Sequence, residues 1–264
     1  MSLFNAIIKE YKLKGLYGIK RYIQKKYFIK KVKTIKSFSK YKHYFENKEG
    51  IEIGGLSKIF NSEIPIYSLV RNVDGCNFSN QTVWEGQLLE GNNYNFFNSK
   101  KGFQYICEAS DLSKIPSEKY DFLISSHCLE HCANTLKTVK EWIRVIKTGG
   151  AILLVLPDKK NTFDHNRQIT KFSHLLEDYK HDIDEYDLTH LSEILSKHDL
   201  NLDLAAGTVQ QFKSRSLENY SNRCLHHHVF DFDLLRKILE YNNVEIHDMS
   251  YSNPYHQIIL GIKK

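Results

Sequence analysis

Residues 120–158 decide the fold: YDFLISSHCLEH at 120–131 precedes a helical segment, and GGAILLVLPD follows at 149–158. The order is strand, helix, strand, and a polar or charged residue stands at the end of each apolar run. Ligands of open α/β sheets bind at the carboxyl ends of the strands. This stretch therefore predicts a ligand site at two neighbouring strand ends before it identifies the ligand.

Strands and helices alternate in the flanking sequence as well. Apolar runs predict three earlier strands, which end at Glu52, Asp74 and Cys107. An amphipathic helix is predicted at residues 136–146 and is ended by the Gly149-Gly150 pair, and residues 231–262 predict a last helix and a hairpin. The pattern predicts an α/β fold of the Rossmann-like, doubly wound class, with a mostly parallel seven-stranded sheet and an antiparallel C-terminal strand.

The charge of the chain divides it into two parts. Residues 1–48 contain 14 Lys and Arg and 2 Glu, a balance of +12, whereas the remainder contains 23 basic and 29 acidic residues, a balance of −6. Hydrophobic residues make up 41% of the 264, which is enough for a packed core and argues against a disordered or fibrous chain. We expect a basic helical extension at 1–48 and a domain at 49–264.

The basic extension has apolar residues at helical intervals, with lysines between them and glycines that divide it into short helices. It is either a cap that packs on the sheet or a surface for anionic lipid, nucleic acid or a lipid-linked saccharide. No apolar run approaches the ~18 residues that span a bilayer, and the N-terminus lacks the apolar segment of a signal peptide. Five cysteines without a CxxC pair favour reduced thiols. We expect a cytoplasmic protein that can contact the inner face of the membrane through residues 1–48.

A nucleoside site is indicated by the end of the first strand. The strand ends IEIGG at 51–55, and Asp74 follows Gly54 by 20 residues. A turn glycine followed at this interval by an acid is typical of nucleoside binding, because a carboxylate accepts both ribose hydroxyls. The third glycine of a GxGxxG motif is absent near Lys58, which disfavours a dinucleotide or nucleoside triphosphate. A nucleoside cofactor without a pyrophosphate fits.

Four motifs in order resemble those of class I S-adenosylmethionine-dependent methyltransferases, over roughly residues 50–157: EIGG with Asp74, ASDLSKIP at 109–116, YDFLISSHCLEH and GGAILLVLPD. The resemblance implies S-adenosylmethionine as cofactor and methyl transfer as the activity. It implies Glu52, Ser126 and His127 near the methionine part, Gly54 and Gly55 under the cofactor, Asp74 on the ribose, and Asp111 with the amide of Leu112 on the adenine. The chain has EIGGLSK where the family usually has DxGxGxG.

A competing motif overlaps the fourth strand. His127, Glu130 and His131 spell HxxEH, the inverted zincin signature, in which two histidines of one helix share a zinc ion. The motif here follows directly on a buried strand, so zinc hydrolysis is a minor alternative. No metal site is predicted, although a divalent metal is compatible with the carboxylates and imidazoles further along the chain.

An acceptor-binding insertion is predicted at about residues 158–228, where titratable residues are concentrated. A sugar hydroxyl is a poor nucleophile, so its methylation needs a base within hydrogen-bond reach. The candidate base is His165, oriented by Asp164 in TFDHNR at 162–167, or His228 in LHHHVF at 225–230. The candidate substrate contacts are Asp158, His226 and Arg167. A phosphate of the substrate could be met by Arg167, Arg215 or Arg223.

PDKKNTFDHNR and HHHVF also resemble a bacterial methyltransferase group associated with cell-surface polysaccharide synthesis. This resemblance implies an O-methyltransferase that acts on a saccharide or nucleotide-sugar hydroxyl in capsule or polysaccharide biosynthesis. One alternative is a nucleic-acid methyltransferase that uses the basic extension, which the acidic body and the lack of a base-stacking aromatic array disfavour. The other is a degenerate, non-catalytic methyltransferase fold that serves as a binding module. The oligomeric state is not predicted.

Overall fold

An eight-stranded mixed sheet forms the centre of the computed structural model, which describes residues 34–264. Its strand order is β5-β6-β2-β1-β7-β8-β10-β9, and β3 and β4 form a separate two-stranded ribbon. The strands are β1 (Glu49–Ile53), β2 (Asn72–Asn77), β3 (Gln81–Thr82), β4 (Gly86–Gln87), β5 (Gly91–Phe97), β6 (Lys100–Ile106), β7 (Tyr120–Ser126), β8 (Ile146–Pro157), β9 (Val244–Ser252) and β10 (His256–Lys263).

The five strands from β6 to β8 in the sheet order run parallel, whereas β5 and β10 are antiparallel to their neighbours. The predicted α/β class, the mostly parallel sheet and the antiparallel C-terminal strand are therefore confirmed. The predicted number of seven strands is wrong, because β5 adds an eighth strand at the edge beside β6. The residues of β8 from Ala151 to Leu156 are all buried, as expected for a strand covered on both faces.

Two faces of the sheet are covered in different ways. The helices are α1 (Phe38–Tyr41), α2 (Thr135–Val145), α3 (Phe172–Lys180), α4 (Leu191–Lys197), α5 (Val209–Leu217), α6 (Asn219–Asn222) and α7 (Phe232–Tyr241). On one face, Trp142 of α2 and Leu235 and Ile238 of α7 belong to the core. On the other face, the connection from β1 to β2 contains only a short 3-10 helix at Lys58–Asn61 among the described residues. Strict alternation of strands and α-helices is therefore not maintained.

The Gly149-Gly150 pair lies inside β8 and does not end a helix. Helix α2 ends at Val145, and β8 begins directly after it. The backbone at Gly149 has a φ of +77°, and the pairing of β7 with β8 shifts register between Tyr120 and Phe122. The predicted role of the pair as a helix stop is wrong, because the glycines accommodate an irregular start of the strand.

The first described residues pack on the sheet. Phe38, Tyr41 and Phe45 are buried, and the ring of Phe45 meets that of Phe122 edge to face at 5.1 Å. The rest of the predicted basic extension, residues 1–33, lies outside the described residues, and so does its predicted membrane-surface contact. No helix within residues 34–264 is long and apolar enough to cross a membrane.

Residues 158–228 contain helices α3 to α6 and a small core of their own. Ile194 of α4, Phe212 of α5 and Leu225 are buried in it. We call this segment the insertion. It begins after β8, at the edge of the sheet where the carboxyl ends of β1, β2 and β7 lie side by side, so it can contribute side chains to a site there.

Candidate active site

A cavity of about 260 Å³ lies at the carboxyl ends of the parallel strands, and we call it the strand-end cleft. It is lined by one residue from each strand end: Gly54 after β1, Asn77 of β2, Glu108 after β6 and Ser126 of β7. The predicted location of the ligand site is therefore where the structure has a cleft.

The cleft has room for a ligand because residue 54 lacks a side chain. Gly54 has a φ of +77°, and a Cβ atom there would stand 2.7 Å from Cys128 Cβ. Its amide donates to Cys76 O at 2.9 Å, so the turn after β1 is fixed against β2. Gly54, Ser126 and His127 all line the cleft, but Gly55 faces away, where an added Cβ atom would meet the carboxyl group of Glu52.

Asp74 lies outside the cleft, and the prediction that it ends the second strand is wrong. The strand extends to Asn77, and Asp74 is buried three residues earlier. Its carboxylate accepts from Tyr120 Oη at 2.7 Å and from the amide of Phe103 at 2.9 Å, so it joins β2 to the adjacent strand β6 and, across β1, to the start of β7. Asn77, whose Nδ2 donates to Gly55 O at 2.9 Å, occupies the strand-end position that was assigned to Asp74.

The adenine contacts implied for Asp111 and Leu112 are also displaced. Asp111 lines a separate surface cavity beside Lys137, and the amide of Leu112 donates to Glu141 Oε2 at 3.0 Å. The acid that lines the cleft after β6 is Glu108. Glu108 was missed, although it is the first acid after the apolar run of β6.

Glu52 supports the cleft from beneath. Its side chain is fully buried and accepts from the Ser57 amide at 2.9 Å, from Tyr94 Oη at 2.5 Å and from the Tyr67 hydroxyl. Burial raises the pKa of Glu52, and these hydrogen bonds oppose the rise. Because its carboxylate is engaged by the protein, the predicted contact with a methionine amino group is not supported; Glu52 instead holds the turn that carries Gly54.

The insertion places two charged side chains in the strand-end cleft, Glu185 and Arg223. Glu185 accepts from the amide of Ala133 at 3.1 Å. Burial raises the pKa of Glu185 to about 7, although Arg223 opposes the rise. Arg223 is one of the three arginines that the sequence offered as phosphate contacts. Glu185 was not identified from the sequence, since it lies in a loop far from the four motifs.

A second cavity, of about 610 Å³, adjoins the first, and we call it the histidine cavity. The two cavities share Ser126, His127 and His131. Beyond this common wall, the histidine cavity is lined by Glu130, His226 and His256. The arrangement allows a ligand in one cavity to meet a ligand in the other beside an imidazole.

His127 is held firmly at the common wall. Its backbone has a φ of +52°, and its amide donates to Val155 O at 2.9 Å. One ring nitrogen, Nε2, is 2.9 Å from His256 Nδ1, and the other, Nδ1, is 3.4 Å from Glu130 Oε1. Burial lowers the pKa of His256 to about 4, so its ring is neutral at pH 7 and can share one proton with His127.

Glu130 supplies a buried negative charge behind this wall. Both carboxylate oxygens are buried, and neither has a hydrogen-bond partner among residues 34–264. Burial would raise the pKa of Glu130, but the facing imidazole of His127 lowers it to about 2. Burial also lowers the pKa of His131 to about 4. The ligand atoms of Glu130, His131 and His226 lie within 4.8 Å of one another, so these three side chains could hold a divalent cation.

The HxxEH motif does not have the geometry of a zincin. His127 lies after β7 with a positive φ, and Leu129–His131 form a short 3-10 helix. The two histidines are therefore not on successive turns of one α-helix, as the zinc-hydrolase alternative requires.

Three predicted site residues form a network behind the histidine cavity. His226 lines the cavity, and its Nδ1 is 2.5 Å from Asp164 Oδ2. Arg167 donates to Asp164 Oδ1 at 3.1 Å and to His226 O at 2.7 Å. Burial would raise the pKa of Asp164, but His226 and Arg167 lower it to about 2. Arg167 is 2% exposed and lines neither cavity, so its guanidinium is engaged by the protein; Arg167 and Asp164 position His226.

Both histidines predicted as the base lie outside the histidine cavity. His165 is on the surface, with Nε2 3.0 Å from Asp199 Oδ2. His228 is buried, and its Nε2 is 2.9 Å from Ala133 O. Asp158 caps a short 3-10 helix and lines a different cavity, beside Tyr251. The structure instead places His127 at the junction of the two cavities; the sequence indicated it as a cofactor contact and, in the minor alternative, as a zinc ligand.

Residues 64–154 match a family described as a methyltransferase domain. No curated protein is significantly similar in sequence. Among solved structures, a SAM-dependent methyltransferase from Aquifex aeolicus is 10% identical with a TM-score of 0.47, and the match covers 92% of this chain and 98% of that one. A methyltransferase from Listeria monocytogenes is 14% identical with a TM-score of 0.49, and the match covers 86% and 96%.

The residues that line the strand-end cleft suit S-adenosylmethionine, independently of these comparisons. The cradle at Gly54 would be filled by any side chain, and Asn77, Glu108 and Glu185 offer groups that can accept hydrogen bonds from hydroxyl and amino groups. The matched segment begins after β1 and includes β2, β6, β7 and most of β8. Residues 64–154 therefore match a methyltransferase domain, and the activity of the protein is methyl transfer from S-adenosylmethionine.

Proposed function

We propose that the protein is an O-methyltransferase whose acceptor is a hydroxyl group of a saccharide or nucleotide sugar, in bacterial surface polysaccharide synthesis. The proposal rests on the common wall of the two cavities, where His127 lines both the strand-end cleft and the histidine cavity. An acceptor hydroxyl in the histidine cavity would lie next to an imidazole and next to the strand-end cleft. Methylation of a hydroxyl needs both a base and an aligned methyl donor.

His127 is the base in this proposal. S-adenosylmethionine supplies an electrophilic methyl group when it is bound. His127 accepts the proton of the acceptor hydroxyl, and Glu130, 3.4 Å from His127 Nδ1, stabilises the resulting imidazolium. His256 keeps the ring in place through its 2.9 Å contact with His127 Nε2. Release of that contact on acceptor binding frees Nε2 to take the proton.

The lining of the histidine cavity supports a sugar as the acceptor. Its polar wall includes Ser57, Asn161 and Thr162, whose side chains can pair with hydroxyl groups, and the rings of Phe163 and Tyr255 offer apolar surfaces for a sugar face. Lys58 lines the same cavity and can meet a phosphate of a nucleotide sugar. The resemblance of PDKKNTFDHNR and HHHVF to methyltransferases of surface polysaccharide synthesis points to the same class of acceptor.

The test is transfer of a labelled methyl group from S-adenosylmethionine to a panel of nucleotide sugars, with oligonucleotides as a second panel. We expect methylation of at least one sugar. His127→Ala should lower kcat by about a hundredfold or more, the usual range for loss of a general base, whereas His165→Ala should stay within a few fold. Methylation of the oligonucleotides alone contradicts the proposal. Absence of S-adenosylmethionine binding in calorimetry points instead to a non-catalytic binding module.

A further inference from the structure

A second group of histidines lies inside the insertion, apart from both cavities. His174 is on α3, His190 directly precedes α4, and His228 lies shortly before α7. One ring nitrogen of each of the three lies within 4.8 Å of the others. Three imidazoles from three different segments therefore converge on one point, although only His228 was singled out from the sequence.

The distances within the group match the spacing of metal ligands. His174 Nε2 is 3.0 Å from His190 Nε2. Asp178, one turn after His174 on α3, places Oδ2 3.4 Å from His174 Nε2. Ligand atoms that stand about 2.0–2.1 Å from a tetrahedral zinc ion are about 3.3 Å from one another. The two measured separations lie on either side of this value.

Two atoms of the group lack hydrogen-bond partners within residues 34–264: Asp178 Oδ2 and His228 Nδ1. Both side chains are buried, since Asp178 is 8% exposed and His228 is 1% exposed. His228 Nε2 lies 2.9 Å from Ala133 O, which places the ring proton on Nε2 and leaves a lone pair on Nδ1. Ligating histidines commonly donate their other ring N–H to a carbonyl in this way. Buried polar atoms without partners are costly, and a bound ion would account for the free lone pair of His228 Nδ1.

We propose that His174, His190 and His228 bind one divalent transition-metal ion, and that zinc is the ion best suited to three imidazoles. Asp178 lies beside this group, with Oδ2 3.4 Å from His174 Nε2 and 3.6 Å from His228 Nε2. His174 and His190 flank the loop that carries Glu185 into the strand-end cleft. The ion therefore fixes this loop, and its loss should weaken cofactor binding without changing the acceptor.

The experiment measures metal in the full chain, purified without a histidine tag or chelator. We expect about one zinc ion per chain by mass spectrometry, and a tetrahedral ligand-field spectrum after exchange for Co²⁺. His174→Ala and His190→Ala should each lose most of the metal. His181→Ala is the matched control, because His181 is an exposed imidazole at the end of the same helix and should leave the metal content unchanged.

Chelation provides a second readout that does not depend on a variant that folds. EDTA should lower the Tm of the wild-type chain by about 5 °C or more, and added Zn²⁺ should restore it. A wild-type chain that takes up neither Zn²⁺ nor Co²⁺ overturns the proposal. So does metal that is lost in His226→Ala but kept in His174→Ala, since that result assigns the ion to Glu130, His131 and His226.

Discussion

Arg223 Nη2 donates a hydrogen bond to Glu108 Oε1 at 2.5 Å and so joins the insertion to the end of β6 beside the strand-end cleft. Arg223 is almost buried, with a side chain 7% exposed, whereas that of Glu108 is 37% exposed. The guanidinium also lies 4.9 Å from the centre of the Phe78 ring, another residue of the cleft. Glu108 is therefore oriented by the insertion and still has room to accept from a bound ligand.

The first prediction concerns this pair. Glu108→Gln keeps the shape of the side chain but removes its charge, and we expect the Kd for S-adenosylmethionine to rise about tenfold, which corresponds to about 1.4 kcal/mol. Titration calorimetry measures the change. Glu118→Gln is the control, because Glu118 is on the surface beside Lys263 and should leave the Kd as it is. If both variants bind S-adenosylmethionine with the same Kd, Glu108 does not contact the cofactor.

The second prediction compares two glycines with the same backbone angle. Gly54 and Gly149 both have a φ of +77°, but a Cβ atom at Gly149 meets no atom of residues 34–264 within 4 Å, whereas at Gly54 it meets Cys128. Gly149→Ala should cost about 1 kcal/mol of unfolding free energy from the backbone angle alone. Gly54→Ala should cost roughly 1–3 kcal/mol more from the clash and should also abolish cofactor binding.

Urea denaturation and calorimetry on the two glycine variants separate these effects. If Gly54→Ala binds S-adenosylmethionine as tightly as Gly149→Ala does, the turn after β1 does not form the floor of the cofactor site.

The third prediction is a pH dependence caused by Glu185. Burial raises its pKa from 4.5 to about 7 in the folded chain, so the neutral carboxyl is the form that stabilises the fold. This stabilisation is fully present below about pH 4 and is lost as the pH rises through 7, at a cost of about 3 kcal/mol. Glu185→Gln cannot ionise and should avoid the loss. Unfolding measured from pH 4 to 8 should show the two stability curves diverging as the pH rises, and parallel curves would contradict the raised pKa.

The fourth prediction concerns the ion pair behind the histidine cavity. Asp164→Asn removes the nearer of two carboxylates that face the buried guanidinium of Arg167, the other being Glu193, whose Oε2 is 3.6 Å from Arg167 Nε. Loss of one member of a buried pair typically costs about 3–5 kcal/mol, and because Glu193 remains we expect a value near the lower end. The depressed pKa of Asp164, about 2, means that its contribution is present above about pH 4 and is lost as the pH falls through 2.

Asp199→Asn is the matched control for that variant. It removes a carboxylate from the surface pair with His165 and should change the stability little, since exposed pairs contribute little. A comparison of urea midpoints at pH 7 measures both variants. A small effect of Asp164→Asn would show that the network around His226 is replaceable.

The fold was predictable because its signal extends over long, regular segments. The buried run of β8 and the amphipathic pattern of α2 each have one strong period, and these elements were found within a few residues of their ends. The eighth strand was not predicted, since β5 is an edge strand in which exposed asparagines alternate with only two buried aromatic residues. Edge strands have weak patterns because one side of the backbone has no partner.

The candidate site was predicted at the strand ends where the structure has a cleft, but two of its predicted residues stand three positions from residues that line the cleft. Asp74 lies three residues before the end position that Asn77 occupies, and Asp111 lies three residues after Glu108. Asp74 was predicted from its interval after Gly54, and Asp111 from a motif resemblance. Neither kind of pattern shows where the last hydrogen bond of a strand falls. Residues such as Glu185 and His256 reach the site only through tertiary packing, and no local pattern indicates them.

Glu185 and Arg223 both belong to the insertion, and this limits how the chain can be engineered. Acceptor specificity in enzymes of this architecture is an attractive target for loop grafting, in which one variable segment is exchanged for another on a constant scaffold. In this chain the exchange would not be modular, because residues 158–228 complete the cleft for the methyl donor as well as the cavity beside it. A chimera that gains a new acceptor through this segment would need Glu185, Arg223 and their supports to be retained, or it would lose its donor affinity along with its old specificity.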